Sequence, residues 1–216
     1  DEAHELQARV TGAVSGQLSV AMVHAAAAGA RKHTAITVDA LNAAAANLEL
    51  ALAGASNGLL PNGLNDDQLD CVDQLREACR AALSDSKGDS NTTADGGRQL
   101  ARARLMLILE LCERLVAARE NREVEWFTRA STFDPGQGYS QPDENAPVLI
   151  NIAPLSVAGR LREGLFADHT VVLTSATLAI GSAFEPAAGG LGLLGEGAPS
   201  WTGVDVGSPF DYPKQG

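Results

Sequence analysis

Asp1-Glu2-Ala3-His4 opens the chain, and Thr174-Ser175-Ala176-Thr177-Leu178 stands roughly 170 residues downstream. Adjacent carboxylates can divide labour at a phosphate-bearing ligand, one holding a divalent cation and its neighbour polarising a water. Asp1 and Glu2 have the types and the order for this. Acids are also common in the first turn of a helix, so the tetrapeptide alone does not discriminate. The distant stretch adds context. Val171-Val172-Leu173 is a short β-branched, apolar run of the kind that forms a buried strand. It would deliver Thr174, Ser175 and Thr177 to its C-terminal end, where the ligand sites of open α/β sheets gather.

A third stretch, Gly207-Ser208-Pro209-Phe210-Asp211-Tyr212, completes a pattern. An Asp-Glu-Ala-His box, a strand ending Thr-Ser-Ala-Thr-Leu and this third segment together resemble the DinG/XPD-type branch of superfamily 2 DNA helicases. In ordinary DEAH-box RNA helicases the first two motifs lie a few dozen residues apart, and the long interval here resembles the helical arch inserted in the DinG/XPD-type enzymes. The resemblance implies an α/β fold, a partial RecA-like motor sheet with a large, mainly α-helical, arch-like insertion. It divides the chain into the end of a first motor domain (1–19), the arch-like insertion (20–130), the return to the first motor domain (131–180) and the start of a second, truncated motor domain (181–216).

The same resemblance assigns roles. Asp1 would hold magnesium on the phosphates of ATP, through water, and Glu2 would share that site while orienting the hydrolytic water. His4 would sense the nucleotide and relay its presence. Thr174, Ser175 and Thr177 would couple hydrolysis to domain movement, since their short, directional hydroxyls can reach His4 or Asp1. The implied cofactors are ATP and Mg2+ and the implied partner is single-stranded DNA, with 5′ to 3′ movement, a role in repair or replication, no membrane, a cytoplasmic location and no oligomer. Such enzymes often carry an iron–sulfur cluster whose ligands precede the Asp-Glu-Ala-His box; none of those ligands is in this sequence.

Composition sets bounds. A net charge of -11 argues against a broad basic surface for nucleic acid, because neutralising phosphates takes clustered Lys and Arg. Local cations remain candidates, namely Arg31-Lys32, Arg102, Arg104, Arg119, Arg122, Arg160 and Arg162, although solvated helix faces account for each one singly. Cys71, Cys79 and Cys112 lack Cys-x-x-Cys spacing and suit free thiols in a reducing compartment. Cys71 and Cys79, eight apart on an expected helix, make a poor metal site without further ligands. The Ala-rich run from Val20 to Ala30 is too short to cross a bilayer.

In chain order, Leu6, Val10, Val14, Leu18 and Ala25 recur at helical steps, with Gly12 and Gly16 placed to bend or break the helix. A second helix is expected from Thr37 or Asp39, with Leu41, Ala44, Ala45, Leu48 and Leu52 inward. A third should run from Asp66 to Leu83 and a fourth from Arg98 to about Glu120, the four packing as a small bundle. Ser84 to Gly97 reads as a loop. Val124-Glu125-Trp126-Phe127-Thr128 and Val148-Leu149-Ile150-Asn151-Ile152 read as strands. A helix through Phe166 and a strand at Thr170 to Thr174 would then make a parallel crossover unit. Val204-Asp205-Val206 reads as a strand opening the second motor domain. Trp126 could stack on a base, but packing within the strand is the commoner use of such a residue.

No Gly-rich loop ending Gly-Lys-Ser/Thr occurs, and this is the element that cradles nucleotide phosphates. These residues alone are therefore expected not to hydrolyse ATP. Two other readings compete. One is a non-catalytic helical module that binds DNA or a protein; the other is part of an RNA-directed DEAH-box helicase or a helicase-like nuclease.

Overall fold

The computed structural model describes residues 1–34, 36–86, 96–129, 131–134, 139–143 and 146–207. They form two compact units, one within residues 15–155 and the other of residues 1–14 with 156–207. The unexplained segment Ser208-Pro209-Phe210 lies outside the described residues.

In the larger unit, four helices are set by apolar positions at helical spacing and by local caps. Gly16–Leu18 forms a short strand, β1, and Ser19 then starts α2 (Val20–His33) by accepting the Met22 N–H on its side chain at 3.1 Å. Helix α2 buries Val20, Val23, Ala26, Ala27 and Ala30, and Arg31, Lys32 and His33 fill its last turn, where cations suit the negative end of the helix dipole. Helix α3 (Asp39–Leu52) turns inward the five residues read from the sequence, Leu41, Ala44, Ala45, Leu48 and Leu52.

A two-residue strand, β2 (Gly58–Leu59), precedes α4 (Asp66–Asp85). Asn65 and Gln68 form a reciprocal capping box at the start of α4, with N···O distances of 2.9 and 3.1 Å, satisfying two amides that a helix start otherwise leaves open. Helix α5 (Gly96–Val116) buries Leu105, Ile108, Leu111, Cys112 and Leu115. Each of the four helices packs on two of the others, α2 on α3 and α5, α4 on α3 and α5, which closes the expected bundle.

Beside the bundle lies a four-stranded antiparallel sheet in the order β1-β6-β3-β2, with β3 at Glu123–Thr128 and β6 at Leu149–Pro154. Phe127 faces Ile150 and Glu125 faces Ile152 across the β3–β6 pair, and Phe127, Ile150 and Ile152 join the helical core. A separate hairpin pairs β4 (Ser131–Asp134) with β5 (Tyr139–Pro142).

The smaller unit holds a 3-10 turn (Ala3–Glu5), α1 (Leu6–Val14), α6 (Ala158–Leu161) running on as a π-helical turn (Arg162–Phe166), and α7 (Glu185–Gly190). Val157, Leu161 and Leu191 are its buried centre, with Leu6, Val10, Val14, Leu165, Phe166, Leu173 and Leu193 packed against them. Arg162 gathers the following loop by donating to the carbonyls of Gly192, Leu194 and Glu196 at 3.0, 2.9 and 2.8 Å. Gly192, at φ +81°, has no room for a Cβ, which would strike the Ala158 carbonyl.

Several sequence expectations are corrected. The first helix does not run on to Ala25; it breaks before Gly16, one of the two glycines read as breakers, where a side chain would collide with Leu111 and the extended backbone pairs with Ile152 in β1. The parallel crossover is not formed, because β6 is antiparallel to both its neighbours and Thr170–Thr174 is not a strand. Val171 and Leu173 are half-buried while Val172 is 80% exposed, so the segment alternates as a strand does but has no neighbouring ladder among the described residues. Propensity cannot supply hydrogen-bond partners. Val204 to Val206 likewise stays exposed and unpaired, and no RecA-like parallel sheet occurs among the described residues.

Candidate functional site

Ala3 is the anchor of the N-terminal motif. It is buried, and its N–H donates to the Thr174 carbonyl at 3.0 Å, the backbone bond that aligns the two distant motifs inside the smaller unit. Residues on either side are thereby presented in pairs. Thr174 Oγ1 donates to Asp1 Oδ1 at 3.2 Å, and His4 Nδ1 lies 2.8 Å from Ser175 Oγ. Ser175 Oγ is in turn 3.4 Å from Thr177 Oγ1 and accepts the Thr177 N–H at 3.3 Å. Asp1, Glu2, His4, Thr174, Ser175 and Thr177, the six residues singled out from sequence, are thus one contiguous cluster, mostly exposed to solvent.

One relation was not foreseen from sequence. His4 Nδ1 also lies 3.1 Å from Oε2 of Glu2, the residue that precedes the 3-10 turn. A carboxylate only accepts, so the tautomer with its proton on Nδ1 can donate to Glu2 Oε2, whereas the tautomer with Nδ1 bare accepts the Ser175 O–H. Glu2 itself has left-handed backbone angles, φ 53° and ψ 40°, a conformation that non-glycine residues adopt at some cost. Period-two placement of Glu2 and His4 was the available signal, but a turn cannot be told from a helix start in four letters.

The donor set suits a magnesium ion. Asp1 uses Oδ1 for both the Glu2 N–H, at 2.9 Å, and Thr174, leaving its other oxygen open to solvent. Mg2+ takes one or two protein carboxylates and completes its shell with waters and phosphate oxygens, so a lone exposed Asp beside a Glu fits it better than a closed cage would. No group of three or more His, Cys, Asp or Glu side chains suited to hold a metal occurs among the described residues.

The remaining candidates separate by what they touch. Arg102 donates to the Leu83 carbonyl and the Ser86 hydroxyl, Arg119 to the Asn62 carbonyl, and Arg162 to its loop, so these three serve the fold. Arg31, Lys32, Arg104, Arg122 and Arg160 are exposed without an ion pair or hydrogen bond among the described residues. Trp126 is half-buried within β3, opposite Asn151. The three thiols are free; burial pushes Cys79 up to about 12, and raises Cys112 further with help from the nearby Cys79. No helix among the described residues is long and apolar enough to cross a membrane.

No protein-family model matches the chain. Among curated proteins, the "ATP-dependent helicase DinG" of Mycobacterium tuberculosis and that of Mycobacterium bovis are each 34% identical to it over 225 aligned residues. The match covers 100% of this chain and 32% of each relative. The similarity therefore includes the Asp-Glu-Ala-His box, the helical unit and the Thr-Ser-Ala-Thr-Leu segment alike. Along its whole length the chain is similar to these DinG helicases, and it spans about a third of their length.

Proposed function

We propose that this chain is part of an ATP-dependent DNA helicase that couples ATP hydrolysis to movement on single-stranded DNA, 5′ to 3′, in DNA repair or replication. The observation that carries the reading is the joining of the two motifs through His4–Ser175 and Asp1–Thr174. Similarity to DinG helicases over the whole chain supports it.

In this reading the Asp1 carboxylate faces the magnesium that accompanies ATP, and that ion, when bound, supplies charge neutralisation on the phosphates. Glu2 accepts a proton from the attacking water and orients it. His4 holds the Glu2 carboxylate in its Nδ1–H tautomer and accepts the Ser175 O–H in the other, so any movement of Glu2 is transmitted to the Thr174–Thr177 segment. The hydroxyls of Ser175 and Thr177 carry the signal onward as a hydrogen-bonded chain. Residues 20–130 serve as an arch over the DNA, 1–19 and 131–180 belong to the first motor domain, and 181–216 begin the second. The phosphate-binding loop is supplied from outside these residues, so the chain by itself does not hydrolyse ATP.

The test uses a longer protein that contains this chain together with a phosphate-binding loop. Glu2→Gln should abolish DNA-stimulated ATP hydrolysis, whereas Ser175→Ala should preserve much of it and depress unwinding. Unwinding in step with hydrolysis after Ser175→Ala would refute the coupling role. Robust turnover by the 216-residue chain alone, abolished by Glu2→Gln, would refute its inactivity.

A further inference from the structure

Among the described residues of the larger unit three polar side chains are buried, Gln68, Glu125 and Asn151. Gln68 completes the α4 capping box and donates to the Ala51 carbonyl, and Asn151 accepts from Gln17 while donating to Trp126, Thr128 and Leu149. Glu125 differs. It is 5% exposed, and its Oε1 is buried without any hydrogen-bond partner.

The turn from Leu60 to Leu64, between β2 and α4, closes over this carboxyl. Leu60 N–H donates to the Glu125 carbonyl at 2.9 Å, and the Leu64 amide lies near enough to the carboxyl to favour its charged form. Gly63, at φ +71°, passes so near that a Cβ there would sit 2.6 Å from Glu125 Oε2. Arg119 closes the far side by donating to the Asn62 carbonyl. Glycine at position 63 thus serves two needs, a left-handed turn and close approach to the acid.

We propose that Glu125 is a proton-binding site that latches the Leu60–Leu64 turn, neutral while the turn is closed over it and opening the turn when it ionises. An ionised carboxylate buried with one oxygen lacking a donor is costly, and the group escapes that cost by keeping its proton or by reaching water. The charges that face it are few. Arg119 favours ionisation, Glu123 on the same strand face opposes it, and Arg114 is committed to Glu123 at 2.5 Å. Burial is the largest influence and raises the Glu125 carboxyl above its ordinary value, against the Leu64 amide and Arg119, which lower it. A raised folded-state value means that the protonated latch contributes stability below the ordinary carboxylate value of 4.5, and that this contribution is lost as pH rises through the folded value. The latch does not depend on any nucleotide chemistry.

The experiment is a carbon-13 NMR titration of the Glu125 carboxyl in the intact chain, with hydrogen exchange at the Gly63 and Leu64 amides corrected for intrinsic rates. The carboxyl should titrate above 4.5, and protection at Gly63 and Leu64 should fall across the same midpoint. Glu125→Gln, which keeps the shape but cannot ionise, should remove that pH dependence. Titration at or below the ordinary value overturns the proposal, as does an unchanged pH profile of protection in Glu125→Gln. Should that variant fail to fold, the wild-type titration decides alone.

Discussion

A double-mutant cycle on His4 and Ser175 measures the contact on which the functional reading rests. The two residues are 171 positions apart and meet at 2.8 Å between Nδ1 and Oγ. A typical intramolecular hydrogen bond contributes about 0.5–1.5 kcal/mol net. The His4 side chain is 42% exposed, so water competes for it and the lower half of that range, about 0.5–1 kcal/mol, is expected for the coupling. Neither single variant isolates this quantity. His4→Ala also removes the 3.1 Å contact with Glu2, and Ser175→Ala also removes the longer contacts with Thr177. The cycle cancels both. Denaturation can be followed in the smaller unit alone by the fluorescence of Trp201 in a Trp126→Phe background, since the two tryptophans lie in different units. Stability changes that add to within about 0.3 kcal/mol would show that the two side chains do not interact, and the argument for a linked site would fail.

Elsewhere the expected outcomes are structural. Asn65→Ala should cost about 1 kcal/mol in urea unfolding by removing one arm of the α4 capping box. Ile108→Ala, at a fully buried position of α5, should cost about 2–5 kcal/mol, with the loss seen in the larger unit by Trp126. Burial pushes Cys79 up to about 12, above its ordinary 9.0, so the folded state holds its proton more tightly than the unfolded chain does. Stability from this source is therefore complete below pH 9 and is lost as pH rises towards 12, and Cys79→Ala should flatten that alkaline limb. In alkylation of the native chain at neutral pH, the half-buried Cys71 should react before Cys79 and Cys112, and equal rates for all three would contradict the burial.

The helices were legible because burial imposes a period. Leu41, Ala44, Ala45, Leu48 and Leu52 are the inward face of α3, as their spacing requires, and the start of α4 is written in its Asn65-to-Gln68 box. The break at Gly16 was legible from its residue type, but the strand it enters was not, because packing against Leu111 and pairing with Ile152 decide it. Glu125 alternates in step with the buried Phe127, although the strand reading did not single it out. An acid in an inward position was still easy to pass over, because nothing local shows that a turn 60 residues earlier covers it.

What the sequence determined by itself was the residue types of the candidate site and the apolar faces of the helices. Both depend on residue type and on spacing within a few turns of chain. Only the tertiary structure decided that Ala3 bonds Thr174, that His4 lies between Glu2 and Ser175, and that the strands pair antiparallel. A strand's hydrogen bonds are completed by a partner chosen from anywhere along the chain, so its own residues can show that it is extended without showing what it meets. Thr170–Thr174 has the composition of a strand and no ladder among the described residues, and it marks where local preference stops and long-range pairing decides.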